Sequence, residues 1–207
     1  MTVSNNPKRG LLLVFSGPSG CGKGTVVSRI LAQREDTVLS VSVTTRAPRP
    51  GETDGVEYYF RTREQVEEMI RNNELLEYAE YSGNYYGTPR AAVEKLLAAG
   101  KNVILEIEVQ GALKVMAREP DHVSVFLAIP SMDELERRLR NRGTETEERI
   151  RRRLAAAQYE LQHADRYQYL VLNDEVSSAV QRLNSIIEAE SLRYSRMKTI
   201  MEGLHLC

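Results

Sequence analysis

The stretch LLLVFSGPSGCGKGT, residues 11–25, decides the fold. Leu11 to Phe15 is a continuous apolar run ending in Ser16 and Gly17, the pattern of a parallel strand buried on both faces. After Gly22, the residues Val26, Val27, Ile30 and Leu31 recur at helical spacing. Between strand and helix stands G-x-x-x-x-G-K, from Gly17 to Lys23, the core of a Walker A phosphate loop. Glycines let backbone N–H groups converge on phosphate oxygens, and the helix N-terminus adds partial positive charge. Lys23 can reach the β- and γ-phosphates and follow the charge as it moves. The whole run Gly17, Pro18, Ser19, Gly20, Cys21, Gly22, Lys23, Gly24 and Thr25 is therefore the expected site for a nucleoside triphosphate. A glycine-rich turn that binds nothing is the bland alternative. The strand before, the helix after and the adjacent Gly22-Lys23 weigh against it. Gly24 stands where the strict motif has a Ser or Thr hydroxyl for Mg²⁺, so the metal is expected to be held by phosphates and water near Thr25.

Outward from this loop, strand-like and helical patterns alternate, which implies βαβ units and a parallel sheet. Val38–Val43, Asn102–Val109, Val123–Ile129 and Tyr169–Leu172 read as four further strands. Thr88-Pro89 reads as a helix start and Gly100 as its end. Ser131 to Glu134 and Thr144 to Glu147 read as capping boxes. A long helix is expected from Val176 to about Ile200. Residues 45–87 break the rhythm. They hold Tyr58, Tyr59, Tyr78, Tyr81, Tyr85 and Tyr86, short strand-like runs at 57–61 and 75–81, a capping box at Thr62-x-x-Gln65, and a turn at Ser82-Gly83-Asn84. The expected class is α/β. A five-stranded parallel core (10–44, 88–130 and 164–207) carries a small α+β insert (45–87) and an Arg-rich helical lid (131–163). Residues 1–9 and the tail beyond Met201 are expected to be poorly ordered.

The chain has 207 residues, with 28 Lys and Arg against 29 Asp and Glu, for a formal net charge of −1. That balance speaks against a general binder of nucleic acid or of anionic membranes. The longest early apolar run is far too short to span a bilayer. Cys21 and Cys207 are unpaired by position, and the polar start has no secretory leader, so a cytoplasmic protein is expected. His122, His163 and His205 lack metal-ligand spacing. Arg supplies 22 of the 28 cations, and eight of them fall between 137 and 153. Arg is the better bidentate partner for phosphate.

Four segments together resemble the guanylate kinase family: GPSGCGKGT (17–25), SVTTRAPRPGETDGVEYYF (42–60), LEYAEYSGNYYGT (76–88) and RGTETEERIRRRLAAAQYE (142–160). The resemblance runs from about Gly10 to Leu192. It implies the P-loop NTPase fold and reversible, Mg²⁺-dependent transfer of the ATP γ-phosphate to GMP and dGMP, within purine nucleotide metabolism and GMP recycling. It implies that Arg46 and Arg49 bind the GMP phosphate, with Tyr58 and Tyr86 donating hydroxyl hydrogen bonds. Guanine reading falls to Glu77, assisted by Ser42 and Thr88, because a carboxylate accepts from N1–H and the N2 amino group together. Glu106 and Glu108, two apart and read as sharing one strand face, would organise magnesium-bound water, the GMP ribose or the phosphate-site arginines; the family commonly has aspartates there. Arg138, Arg142 and Arg153 would act as in-chain arginine fingers, with Lys23 and Arg46 completing the catalytic set. Asn173 resembles the adenine-contacting position. Most of the remaining lid arginines read as a solvated surface balanced by Glu145, Glu147 and Glu148. The expected partners are ATP, GMP and dGMP, with no nucleic acid and no membrane; a homo-oligomer stays open. Two rival readings remain at this stage: another small P-loop phosphotransferase, and a non-catalytic guanylate-kinase-like peptide-binding module. Glu77 with the tyrosine-rich insert argues against the first, and an intact Lys23 with no room for a second domain argues against the second.

Overall fold

The computed structural model describes residues 9–81, 83–141 and 146–203. Five parallel strands form the central sheet: β1 (Leu12–Ser16), β2 (Thr37–Leu39), β7 (Asn102–Glu106), β8 (His122–Ala128) and β9 (Tyr169–Leu172), in the order β2-β7-β1-β8-β9. β1 lies at the centre because its apolar run satisfies both faces. Leu11, Leu13 and Phe15 pack under helices α1 (Lys23–Gln33) and α7 (Val176–Ser191). Leu12 and Val14 pack under α3 (Arg90–Ala98) and α4 (Val109–Arg118). Leu13, Val14 and Phe15 are essentially solvent-free, and each such side chain stabilises the fold by roughly 1.5–3 kcal/mol. From β1 the chain winds to β2 on one side, then returns through β7 and crosses to β8 and β9 on the other. An open parallel sheet binds ligands outside the carboxyl ends of its strands at such a reversal.

The insert is a second sheet of four strands in the order β4-β3-β6-β5: β3 (Ser42–Thr44), β4 (Tyr58–Phe60), β5 (Leu75–Tyr81) and β6 (Asn84–Pro89). Helix α2 (Arg63–Arg71) begins at Thr62, whose side chain and that of Gln65 complete the expected capping box. Val43, Val66 and Leu75 form its small core. The Arg-rich segment expected to form a lid is the helix pair α5 (Met132–Asn141) and α6 (Glu147–Leu161). Leu135, Leu139, Ile150 and Ala157 bury its apolar stripe against the main core.

Several expected elements differ from those observed. The run Val38–Val43 is two strands in two sheets. Ser40 N still bonds Ile104 O beside β7, and the chain then leaves for the insert. The strand expected to reach Val109 ends at Glu106, and Val109, Ala112 and Val115 instead form the buried stripe of α4. The apolar residues Ile107 and Val109 continue the alternation of the strand, which hides the helix start. Thr88 is no helix cap: β6 runs through Pro89, and Pro89 occupies the cap position of α3. The cap of α6 is Thr146, which accepts from Arg149 N; Thr144 lies outside the described residues. The long C-terminal helix breaks at Leu192, and α8 (Tyr194–Gly203) follows. Arg9, expected in a loose terminus, makes a bidentate ion pair with Glu94 at 2.9 and 3.0 Å. Residues 1–8 and Cys207 lie outside the described residues.

Candidate active site

The phosphate loop is tied down on three sides. Ser16 Oγ donates to Ile107 O at 2.8 Å, which fastens the end of β1 to the segment after β7. Asn173 Nδ2, at the end of β9, donates to Cys21 O at 2.6 Å. Arg138 of α5 donates to Cys21 O at 3.3 Å and to Asn173 O at 3.0 Å. Gly22 precedes α1 at φ +97°, and a Cβ there would stand 2.6 Å from Asn173 Nδ2, so both backbone and space demand glycine. Lys23 Nζ arches back over the loop, donating to Gly17 O at 2.5 Å and Pro18 O at 3.2 Å. The first amides of α1, those of Lys23, Gly24 and Thr25, have no intrahelical acceptor and form the positive end of the helix. Cys21 is fully buried, and desolvation pushes its thiol up, so the residue fills space.

Two cavities open at the carboxyl ends of the core strands. The first, about 540 Å³, is walled by Ser19, Lys23, Thr25, Glu106 and Glu160. The second, about 270 Å³, is walled by Ser42, Tyr58, Glu77, Tyr86, Glu108 and Gly111. They share the segment Glu106-Ile107-Glu108. Glu106 ends β7 opposite Phe15, and burial raises its carboxyl while Lys23 opposes the shift. Glu108 is exposed at the cap position of α4. The two glutamates therefore do not share a strand face, as alternation along 102–109 suggested; they bracket the junction of strand and helix. Both still reach both cavities.

Strands of the insert place the second cavity's side chains. Tyr58 on β4 and Tyr86 on β6 meet edge-to-face with centroids 5.9 Å apart. The Arg46 guanidinium lies 5.4 Å from the Tyr58 ring and 5.8 Å from that of Phe60. Its fork grips Glu52 with two 2.9 Å bonds, and Glu52 Oε2 also accepts from Arg49 N at 2.7 Å. Arg46 and the Arg49 amide hold the Glu52 carboxyl below its usual range. Sequence reasoning missed Glu52; a carboxylate three residues beyond the second arginine of R-x-x-R was the available signal. The Arg49 side chain is exposed.

Glu77 is only 6% exposed, with Leu75 and Leu76 beside it also buried. Three consecutive buried residues break strand alternation, and the β5–β6 register slips between Leu75 and Tyr78. Such an irregularity re-aims a side chain, and here it turns Glu77 into the cavity. Thr88 Oγ1 donates to Glu77 Oε1 at 2.7 Å. Burial nevertheless raises the Glu77 carboxyl above its usual range. The folded protein then holds this proton at a pH where the unfolded chain has released it. Its contribution to stability is fully present below the unfolded pKa and lost as pH rises through the folded one. Glu77→Gln is thus expected to raise the melting temperature near pH 8, with the gain fading toward pH 4. Thermal melts across that range check this, and an equal or lower melting temperature at pH 8 contradicts it.

The lid contributes unevenly. Arg138 sits between Glu134 and the loop carbonyls, and Arg137 and Arg138 together draw Glu134 down to about 2. Arg142 lies outside the described residues, and Arg153 is half-buried on α6. Arg137, Arg140 and Arg152 pair with Glu134, Glu136, Glu147 and Glu148 on the surface, the solvated arrangement expected for most lid arginines. Glu160, given no role from sequence, reaches into the first cavity from α6. Burial raises its carboxyl, although Lys23 and the Ser19 amide favour its charge, and among the described residues Oε2 is buried without a hydrogen-bond partner. The Tyr167 hydroxyl, near Ser16, is likewise buried and pushed up to about 12.

The fold recurs in known proteins. The family model described as guanylate kinase matches residues 9–190. The chain is 53% identical over 195 residues to a guanylate kinase of Desulfitobacterium hafniense (strain Y51), covering 94% of this chain and 98% of that one. It is 55% identical over 190 residues to a guanylate kinase of Lactococcus lactis subsp. lactis (strain IL1403), covering 92% and 93%. Among solved structures, the guanylate kinase from Anaplasma phagocytophilum superposes with a TM-score of 0.74 at 36% identity, over 95% of each chain. A match of this extent settles the family: the chain belongs to the guanylate kinases.

Proposed function

We propose that the chain transfers the γ-phosphoryl group of ATP to GMP, reversibly, giving ADP and GDP. One observation carries this reading: two cavities share one wall, with a phosphate loop in one and a buried carboxylate in the other. Phosphoryl transfer needs its two substrates in line and shielded, and little covalent chemistry from the protein. ATP lies over Gly17–Thr25, its phosphates on the α1 amides and Lys23, with Arg138 and Asn173 anchoring the loop and flanking the adenine side. GMP lies between the insert and the core. Arg46 and Arg49 take its phosphate with Tyr58 and Tyr86, while Ser42, Glu77 and Thr88 meet the base. Glu106 and Glu108 stand where the two nucleotides meet. Arg142 and Arg153 spread the transferring charge as the lid (131–163) closes. The core (10–44, 88–130 and 164–207) and the insert (45–87) hold the two nucleotides.

The residues fit a magnesium ion held mainly by phosphates and water. Oxygen donors of Thr25 and Glu106 face the first cavity, and a Cβ on Gly24 would lie 3.8 Å from Glu106 Oε1. Among the described residues, no three carboxylates, histidines or cysteines cluster as a metal cage. Bound magnesium supplies charge neutralisation on the phosphates. dGMP is the second acceptor, because the base and phosphate contacts proposed here do not use the 2′-hydroxyl. Its substrates are free nucleotides, and the cytoplasm is the compartment proposed for it; among the described residues, no helix is long and apolar enough to cross a membrane. A coupled assay of ADP formation with GMP and dGMP, run with and without a chelator, tests these details. Rates on both acceptors that vanish on chelation are expected. Full activity in excess chelator contradicts the metal, and a negligible dGMP rate contradicts the second acceptor.

A further inference from the structure

Gly111 is the third residue of α4, inside a helix whose interior normally disfavours glycine. Its φ is not positive, so the backbone gives no reason for the choice. Space does. A Cβ built on Gly111 would stand 2.7 Å from Glu77 Oε2, 3.2 Å from Cδ and 3.5 Å from Cγ. On the other side of the carboxylate, Thr88 Oγ1 holds Oε1 at 2.7 Å. The Glu77 carboxylate is therefore clamped between a hydroxyl and the bare face of α4, and both Glu77 and Gly111 line the second cavity. We infer that Gly111 is a specificity-determining positioning residue, whose missing side chain sets where the Glu77 carboxylate meets the purine.

This inference rests on the reading of Glu77 as the guanine-contacting group. The atom a methyl group would strike is the far end of a movable side chain, not backbone. Alanine at 111 therefore leaves the helix intact and displaces the carboxylate by at least a few tenths of an ångström. Accepting from N1–H and the N2 amino group at once needs both oxygens aligned, because hydrogen bonds weaken steeply as their angle departs from linear. Hypoxanthine lacks the N2 amino group, so its nucleotide, IMP, has less to lose. Fold and recognition then respond in opposite directions. Helix propensity favours alanine, while guanine selection requires glycine.

The test is Gly111→Ala, assayed with GMP and with IMP, alongside Glu77→Gln and a thermal melt. The KM for GMP is expected to rise by about tenfold or more, the loss of one charge-assisted hydrogen bond. The preference for GMP over IMP should fall by a similar factor. The KM for ATP should stay within about twofold, and the melting temperature should be unchanged or higher. GMP kinetics close to those of the unaltered protein overturn the inference. So does an equal loss for GMP and ATP, or a variant that fails to fold, since either makes the glycine purely structural. Glu77→Gln separates the two levels. If it keeps normal GMP kinetics, the guanine-reading role itself fails. If it is defective while Gly111→Ala is normal, only the positioning role fails.

Discussion

Glu77→Gln is expected to lower kcat/KM for GMP by about 10²- to 10³-fold while leaving the KM for ATP within about twofold. The variant keeps shape and volume but replaces an acceptor-only group by one carrying its own donors. Its amide NH₂ would then face N1–H or the N2 amino group across a cavity of about 270 Å³, with one donor left unpaired. Thr88 still has an oxygen to bond, so the bulge in β5 survives. The loss thus falls on the acceptor alone, and steady-state kinetics with each substrate varied in turn measure it. Equal loss for GMP and ATP, or none, removes Glu77 from the guanine contact. With the gain in melting temperature expected for the same substitution near pH 8, the residue marks a site where function holds a charge that stability would discard.

Lys23→Ala should reduce kcat by roughly 10³-fold, the scale of removing a principal charge-stabilising donor from the transition state. Nothing in the fold depends on Lys23 to the same degree. Its Nζ bonds the carbonyls of Gly17 and Pro18, while the loop itself is held by Ser16, Asn173 and Arg138. A melting temperature close to that of the unaltered protein should accompany the lost rate. A kcat within tenfold of the unaltered protein would show that transfer does not occur at this loop.

The phosphate loop was legible in the sequence because its signals are local: an apolar strand, glycines at fixed offsets and a helix start. Helices α5 and α2 were legible for the same reason, through the capping residues Ser131 and Thr62, and α6 through its helical stripe. What stayed hidden depends on which surface covers a strand. Val38, Val41 and Val43 give the whole run 38–43 a strand-like character, and no local feature tells that the chain changes sheets after Ser40. Ile107 and Val109 prolong an alternation that the backbone has already abandoned, and this placed Glu106 and Glu108 on one strand face. The bulge that aims Glu77 into its cavity also has no local signal; Leu75-Leu76-Glu77 reads as an ordinary strand. Glu160 and Gly111 were missed because each matters through a partner distant in the chain, Ser19 and Glu77, whereas Glu52 stood six residues from Arg46 and was overlooked beside the R-x-x-R pattern. The net charge of −1 likewise told nothing of where the arginines stand, since carboxylates such as Glu52 and Glu134 are bonded to them directly.

In the proposed function, one wall, Glu106-Ile107-Glu108, joins a triphosphate site to a site that selects guanine. The most direct measurement is a coupled assay of ADP formation from ATP with GMP, dGMP, AMP and UMP offered separately at equal concentration. Turnover is expected with GMP and dGMP, and kcat/KM for AMP and UMP lower by about 10³-fold or more, because a buried carboxylate facing either base is left without its donor pair. Comparable turnover of AMP or UMP would contradict it.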